Sequence, residues 1–391
     1  MSEPVPIRNL GSVGVITDIL PVDLPPGGFS DAANVVFRDG SVNRINGYTT
    51  EADLGPDSKA LKMQYGWVDG VYILYVATET AIWSLSGGTW TDVSGQVYSA
   101  TEWDSVVFGP YVIFTSAAHT PQVIGPGDVT FGDLPNWPAN VSCQRMRAFG
   151  QILIAMGLTI DAIARPQDYL WSNTAPVNGL PPDWAYGDPA SNSGLAAVEA
   201  ETGEIQDGGI LGQNFMLYTG YACHELRKTG TDTVFARRIV HRRGLISPKS
   251  FTAFDAFHFC VGQDTVYTHS GGRPNPIGQD RIDDRFYGSF ENKRATVCVN
   301  DTANHEIRVF FNADPDAGTT FWMSWSYRGE GAFSFGRVPG DVRDALVLPM
   351  TGQETTWEDL QNAGIKWSDL KGTWADFSDS DDRFYLAWLR Y

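Results

Sequence analysis

The sequence predicts an all-β chain, a β-propeller of about six four-stranded blades. Three observations carry that expectation. The 391 residues include 41 glycines and 22 prolines, and 13% are aromatic, a balance that favours turns and strands over helices. No long segment keeps a helical hydrophobic period. Groups of four strand-like runs recur roughly every 40 residues, with no helix between them, which is how propeller blades read in sequence. A β-sandwich array is the alternative fold, and it would show less regular spacing. The chain divides into an N-terminal arm and hairpin (1–57), the propeller (58–350) and a C-terminal segment (351–391).

In the arm, Ser30–Ala33 reads as a short helical turn capped by Ser30. A hairpin follows, Asn34–Phe37 and Ser41–Ile45, turning at Asp39-Gly40. The first blade is the clearest, with strands at Leu61–Val68, Val71–Thr78, Ala81–Leu85 and Thr89–Val93. Asp69-Gly70 and Gly87-Gly88 stand where tight hairpins need positive φ. Its second strand is apolar on both faces, Tyr72, Leu74 and Val76 against Val71, Ile73 and Tyr75. Such a strand belongs inside a stack of sheets.

The second blade falls at Trp103–Phe108, Tyr111–Thr115, Gln122–Ile124 and Val129–Asp133. The third begins Gln144–Phe149, Ile152–Met156 and Tyr169–Ser172, followed by the stretch Asn173–Gly194, read as an exposed loop because of its Pro and Gly content. Later blades span Ile205–Ile239, Ser250–Arg281 and Thr296–Phe335. The blade count is open by one, since Asp341–Pro349 or the N-terminal hairpin can supply a closing strand. The C-terminal segment repeats a Trp-x-Asp-apolar unit at Trp357, Trp367 and Trp374, and Trp90 stands in the same unit in the first blade. Asp381–Tyr385 repeats Asp283–Tyr287 identically, read as a reused strand start.

Bulk chemistry narrows the function. The net charge is −18 and the pI about 4.6, which argues against tight phosphate binding. The longest apolar runs, such as Ile152–Met156, are far too short to cross a bilayer, so no membrane insertion is expected. The start MSEPVPIRNLG carries no signal-peptide pattern, and the reading is a soluble protein made in the cytoplasm. Cys143, Cys223, Cys260 and Cys298 show neither a CxxC pair nor zinc spacing and read as buried free thiols. The last three are almost evenly spaced, which suggests equivalent positions in successive blades.

Searches for catalytic patterns return nothing: no phosphate loop, no Gly-x-Ser-x-Gly elbow, no His-Glu-x-x-His. The six histidines are scattered, and only His258 and His269 could meet across a hairpin. No catalytic residue, metal site or cofactor is expected. Acidic pairs such as Asp283-Asp284 read as solvated turn acids; as a catalytic pair they would need a fixed separation in a cleft.

One phrase points to a family. Ala33, Asn34, Val35, Phe37, Gly40, Arg44, Gly47 and Tyr48 resemble the opening of tail nozzle (tail tubular B-like) proteins of short-tailed bacteriophages. Two further phrases resemble the same family: Arg147–Gly150 with Ile154-Ala155 and Tyr169–Ser172, and His241–Pro248. The resemblance implies a non-enzymatic virion tail component made in the host cytoplasm. It implies a homo-hexamer, a tail adaptor ring above it, and tail fibres or spikes at its sides. DNA would transit the channel during genome ejection without tight binding. The alternative from a different class is a propeller glycosidase or glycan-binding module. Under the first reading Asp183, Trp184, Tyr186 and Asp188 make a candidate channel or gate loop. Arg237, Arg238, Arg242 and Arg243, with Trp357, Trp367 and Trp374, are candidate subunit or partner contacts.

Overall fold

The computed structural model describes residues 10–38, 40–45, 54, 59–86, 88–230, 234–289, 296–314, 319–329, 331–349 and 384–390, with backbone alone at 312–314, 349 and 384–390. The chain is a β-propeller. Among the described residues, five four-stranded antiparallel sheets follow one another in sequence, and a sixth sheet adds two short N-terminal strands in parallel to four antiparallel ones; each blade runs in order from an innermost to an outermost strand. The innermost strands are Ala60–Val68, Asp104–Phe108, Val141–Phe149, Ile205–Leu211, Phe251–Phe254 and Val297–Asp301. Each lies against the next. A seventh position between the sixth and first blades is filled by Val342–Pro349, paired antiparallel with Phe384–Arg390. The ring therefore closes on seven positions, six of them full blades. The stretch expected as one closing option, Asp341–Pro349, does close it.

The core sits between the blades, as a strand apolar on both faces requires. Tyr75, Ala77 and Ile82 of the first blade pack on Val112, Phe114 and Phe131 of the second. Phe149, Ile152 and Ile154 of the third meet Ile205, Phe215 and Leu217 of the fourth. Phe259 and Val261 of the fifth meet Ile307, Val309 and Phe311 of the sixth. Each such buried side chain contributes roughly 1.5–3 kcal/mol. Close approach sets some positions: a Cβ on Gly66 would stand 2.3 Å from Val112 Cγ2 of the neighbouring blade.

Turn chemistry fixes the hairpins. Asp69 and Gly70 both take positive φ (50° and 79°), the backbone of a type I′ turn. Asp161 and Ala162 do the same without a glycine, at φ 50° and 63°. That turn lengthens the third blade: its second and third strands run Ile152–Ile160 and Ile163–Trp171, beyond the expected Ile152–Met156 and Tyr169–Ser172.

The N-terminal region joins the sixth blade. Gly14–Val15 pairs in parallel with that blade's outermost strand, Phe333–Pro339, and Gly28–Phe29 pairs with it in turn. Residues 31–33 are irregular, so the expected helical turn at Ser30–Ala33 is absent. Ser30 is a bend whose chain must reach the blade edge. The hairpin is present as Val35–Arg38 and Ser41–Arg44. Asn34, at φ 59°, docks it: its N–H donates to Phe335 O and its side-chain carbonyl accepts from Arg337 N at 2.9 Å. Phe37 and Val36 are buried beneath, in the cores flanking the sixth blade.

Two further expectations are corrected. The pentapeptide Asp283–Tyr287 is helical, in Asp283–Gly288, whereas its second copy contributes Phe384 and Tyr385 to a strand. At the first site Phe286 is buried against Phe311 and the helical turn is imposed by packing. The cysteines are not equivalent either. Cys223 lies on a third strand, Cys260 on a second and Cys298 on a first. All four are free thiols, with Cys298 half-buried.

Candidate functional site

Charged side chains from successive inner strands meet at the propeller axis. Arg147 of the third blade reaches Asp104 of the second at 2.5 Å and Asp207 of the fourth at 2.8 Å. Asp344 of the seventh position receives Lys62 of the first blade at 3.1 Å. It also faces Lys249, at the entry to the fifth blade, at 3.8 Å. The signs alternate round the axis: Lys62, Asp104, Arg147, Asp207, Lys249, Asp344. The three carboxylates are almost wholly buried. Burial alone would raise Asp104, but Arg147 beside it, with Lys62 and Arg145, holds it at about 2. Burial lowers Lys249 and Asp344 opposes that. Three cations and three anions carry no net charge, and each of the three carboxylates has a cation within 4 Å.

The stretch 173–193 is the exposed loop its composition suggested, without helix or strand, and it is anchored at a few points. Trp184 is 2% exposed and packs edge-on against Trp137, ring centroids 4.6 Å apart, in the core between the second and third blades. Asp183 accepts from Asn173 Nδ2 at 2.8 Å and from the Ser191 hydroxyl, bonds that lower its pKa. Asp188 accepts from Ala190 N at 2.9 Å, closing a local turn, while Tyr186 is 39% exposed. One buried indole and a carboxylate hub tie down a Pro- and Gly-rich segment.

Each arginine of the basic cluster has an acid within the chain. Arg237 holds Glu199 through two bonds of 2.8 and 3.1 Å. Arg238 pairs with Glu225, Arg242 with Glu201 at 3.7 Å, and Arg243 with Asp264 at 3.3 Å. Arg238 and Arg242 keep most of their side chains exposed, within reach of a second protein. Trp357, Trp367 and Trp374 lie outside the described residues.

Between the fourth and fifth blades the structure assembles a group the sequence did not suggest. Cys223 and His241 are cross-strand partners in the fourth blade, and His258 and His269 are partners in the fifth. Cys223, His241 and His269 present donor atoms all within 4.8 Å of one another. The expected meeting of His258 and His269 occurs through Tyr218, whose hydroxyl lies 2.7 Å from His258 Nδ1 and 2.5 Å from His269 Nε2. Gly271 N–H donates to His269 Nδ1 at 3.2 Å, which places that ring's proton on Nε2. His258 Nε2 reaches Ile210 O at 2.8 Å. Burial lowers His241 to about 4 and His269 to about 3, so both rings are neutral at pH 7.

No family model matches the chain, and no curated protein matches it. Solved structures resemble it at low identity. One is a hypothetical selenium-binding protein from Sulfolobus tokodaii, 8% identical, with a TM-score of 0.45 over 68% of this chain and 75% of that one. YCF48 from Cyanidioschyzon merolae is 9% identical, with a TM-score of 0.39 over 72% and 96%. Apo AztD from Citrobacter koseri is 13% identical, with a TM-score of 0.38 over 78% and 82%.

Proposed function

We propose that the chain is a non-enzymatic structural subunit of a phage tail, a nozzle ring of six copies. DNA passes through the lumen between the copies and not along a propeller axis. The observation that supports the reading is a cluster of exposed apolar side chains at the tip of the first blade. Trp67, Val71 and Tyr72 stand about half exposed at the tip of the first hairpin. Tyr72 stacks on Tyr65 at 4.8 Å and meets Trp67 edge-on at 4.3 Å. Asp69 of that tip accepts from Gly127 N of the second blade, tying it to the loop that carries Val129, 82% exposed. A Cβ on Gly109, in the first hairpin of the second blade, would stand 3.8 Å from Asn178 Cα, the neighbour of Val177, which is 80% exposed. Apolar groups gathered at such a tip suit a protein contact.

Two other features support the reading. The phrase that resembles nozzle proteins has a structural task, since Asn34 and Phe37 dock the N-terminal hairpin on the sixth blade. The acids nearest the axis are held in ion pairs, whereas glycoside hydrolysis needs a carboxylate free to donate a proton. The adaptor ring, fibres or spikes, and loosely held DNA belong to the same proposal. It is tested by native mass measurement of the chain alone and with its adaptor. A hexamer is expected, and a monomer under both conditions would overturn it.

A further inference from the structure

The geometry points to a buried binding site for one thiophilic d10 cation, Zn2+ or Cu+, at Cys223, His241 and His269 between the fourth and fifth blades. The inference is independent of the nozzle reading. Donor atoms within 4.8 Å of one another stand somewhat wider than the roughly 3.5 Å between ligands of a tetrahedral site, built from bonds of about 2.0–2.3 Å. Side-chain adjustments of about an ångström close that gap.

The second observation is His241 itself. It is 9% exposed and neither ring nitrogen makes a hydrogen bond. The Arg243 backbone stands close enough to the ring to favour its protonated form, although neither nitrogen has a partner in hydrogen-bond geometry. A buried polar group left unpaired costs about 1–3 kcal/mol, so a satisfied packing histidine does not describe this ring. A metal on one nitrogen, with the Arg243 carbonyl turned to accept from the other, would satisfy both, and that is how ligating imidazoles are commonly oriented.

The donor set selects the ion. One thiolate and two neutral imidazoles suit soft or borderline cations and not Mg2+ or Ca2+. Cys223 is a thiol here, since burial raises it well above its usual value, so binding releases its proton to solvent. With Cu+ the three-donor site is neutral. Zn2+ needs a fourth donor and a second negative charge to be neutral. Cys260, which acts on Cys223 and is itself pushed up to about 12 by burial, is the nearest thiol to supply both. His269 must give up one of its two hydrogen bonds, the 3.2 Å bond from Gly271 N being the longer. The site would pin the outer strands of one blade to the next.

Because the site is buried, the test loads it during folding. The full chain is unfolded in denaturant with reductant and chelator, then refolded with one equivalent of Zn2+, Co2+ or Cu+ and desalted. We expect one ion retained per chain. Co2+ protein should show a thiolate-to-cobalt charge-transfer band, and Cys223→Ser should abolish it or at least halve it while Cys298→Ser keeps it. Loss of Zn2+ but not Cu+ in Cys260→Ser assigns the four-donor zinc form. Retention of both ions in that variant assigns the three-donor site. If Cys223→Ser does not refold, His241→Gln replaces it, and the wild-type melting temperature should rise with the ion. No retained ion and no rise would overturn the proposal. So would a cobalt band indifferent to both Cys223→Ser and His241→Gln.

Discussion

Arg147→Met should destabilise the propeller severely and reverse its response to acid. The substitution keeps much of the side chain's volume and removes the cation that Asp104 and Asp207 share, at 2.5 and 2.8 Å. Removing one partner of a buried pair costs about 3–5 kcal/mol, because an uncompensated charge is left behind. Here two carboxylates lose it. In the wild type, Asp104 sits at about 2 against an ordinary value of 3.8. A folded value below the unfolded one gives stability that is present above the unfolded pKa and lost as pH falls through the folded one. That difference is worth about 2 kcal/mol, surrendered between roughly pH 4 and pH 2. Without Arg147, burial dominates and raises Asp104. Its contribution then favours low pH and is lost as pH rises above the unfolded value. Urea melts from pH 7 to pH 4 should show the variant gaining stability on acidification, with no such gain in the wild type from this group. The triple variant Asp104→Asn, Arg147→Met, Asp207→Asn should recover most of the loss. A cost under about 1 kcal/mol, or an unchanged pH profile, would refute the ion ring as a structural element.

Three other outcomes follow from the same geometry. Trp184→Ala should cost about 3–5 kcal/mol, as for a buried aromatic, and expose 173–193 to limited proteolysis; a freely swinging gate would show neither change. Asn34→Ala should speed amide exchange across Val35–Arg44, because it removes the bond to Arg337 N and strains a residue at φ 59°, a loss of about 1–2 kcal/mol locally. Trp67→Ser with Tyr72→Ser should leave the melting temperature within a few degrees and weaken ring assembly, read by native mass.

Much of the fold was legible because hairpins announce themselves locally. Asp69-Gly70 and the both-faces-apolar strand beside it placed the first blade to within a residue or two at most ends. The Asp161-Ala162 turn was missed because it takes positive φ without a glycine. The Phe-Tyr that ends the repeated pentapeptide is helical at Phe286-Tyr287 and in a strand at Phe384-Tyr385, because so short a repeat does not outweigh its surroundings. Composition gave 173–193 as an exposed loop, which it is, but Pro and Gly counts do not register its anchor, the single indole Trp184. The chemistry was less readable. His258 and His269 could be paired from their hairpin, and Cys223 with His241 lies across the last hairpin of the preceding blade. That the two pairs face each other depends on blade stacking, which leaves no local signal. The axial ring is hidden for the same reason: its six charges are spread from Lys62 to Asp344, each unremarkable in its own strand.

Assembly into a ring is decided by an image of the chain bound to its adaptor. Six copies are expected around a lumen wide enough for duplex DNA, with the Trp67–Tyr72 tip in a protein contact and ion pairs around each propeller axis. A solitary propeller with that tip bare, or duplex threaded along a propeller axis, would contradict it.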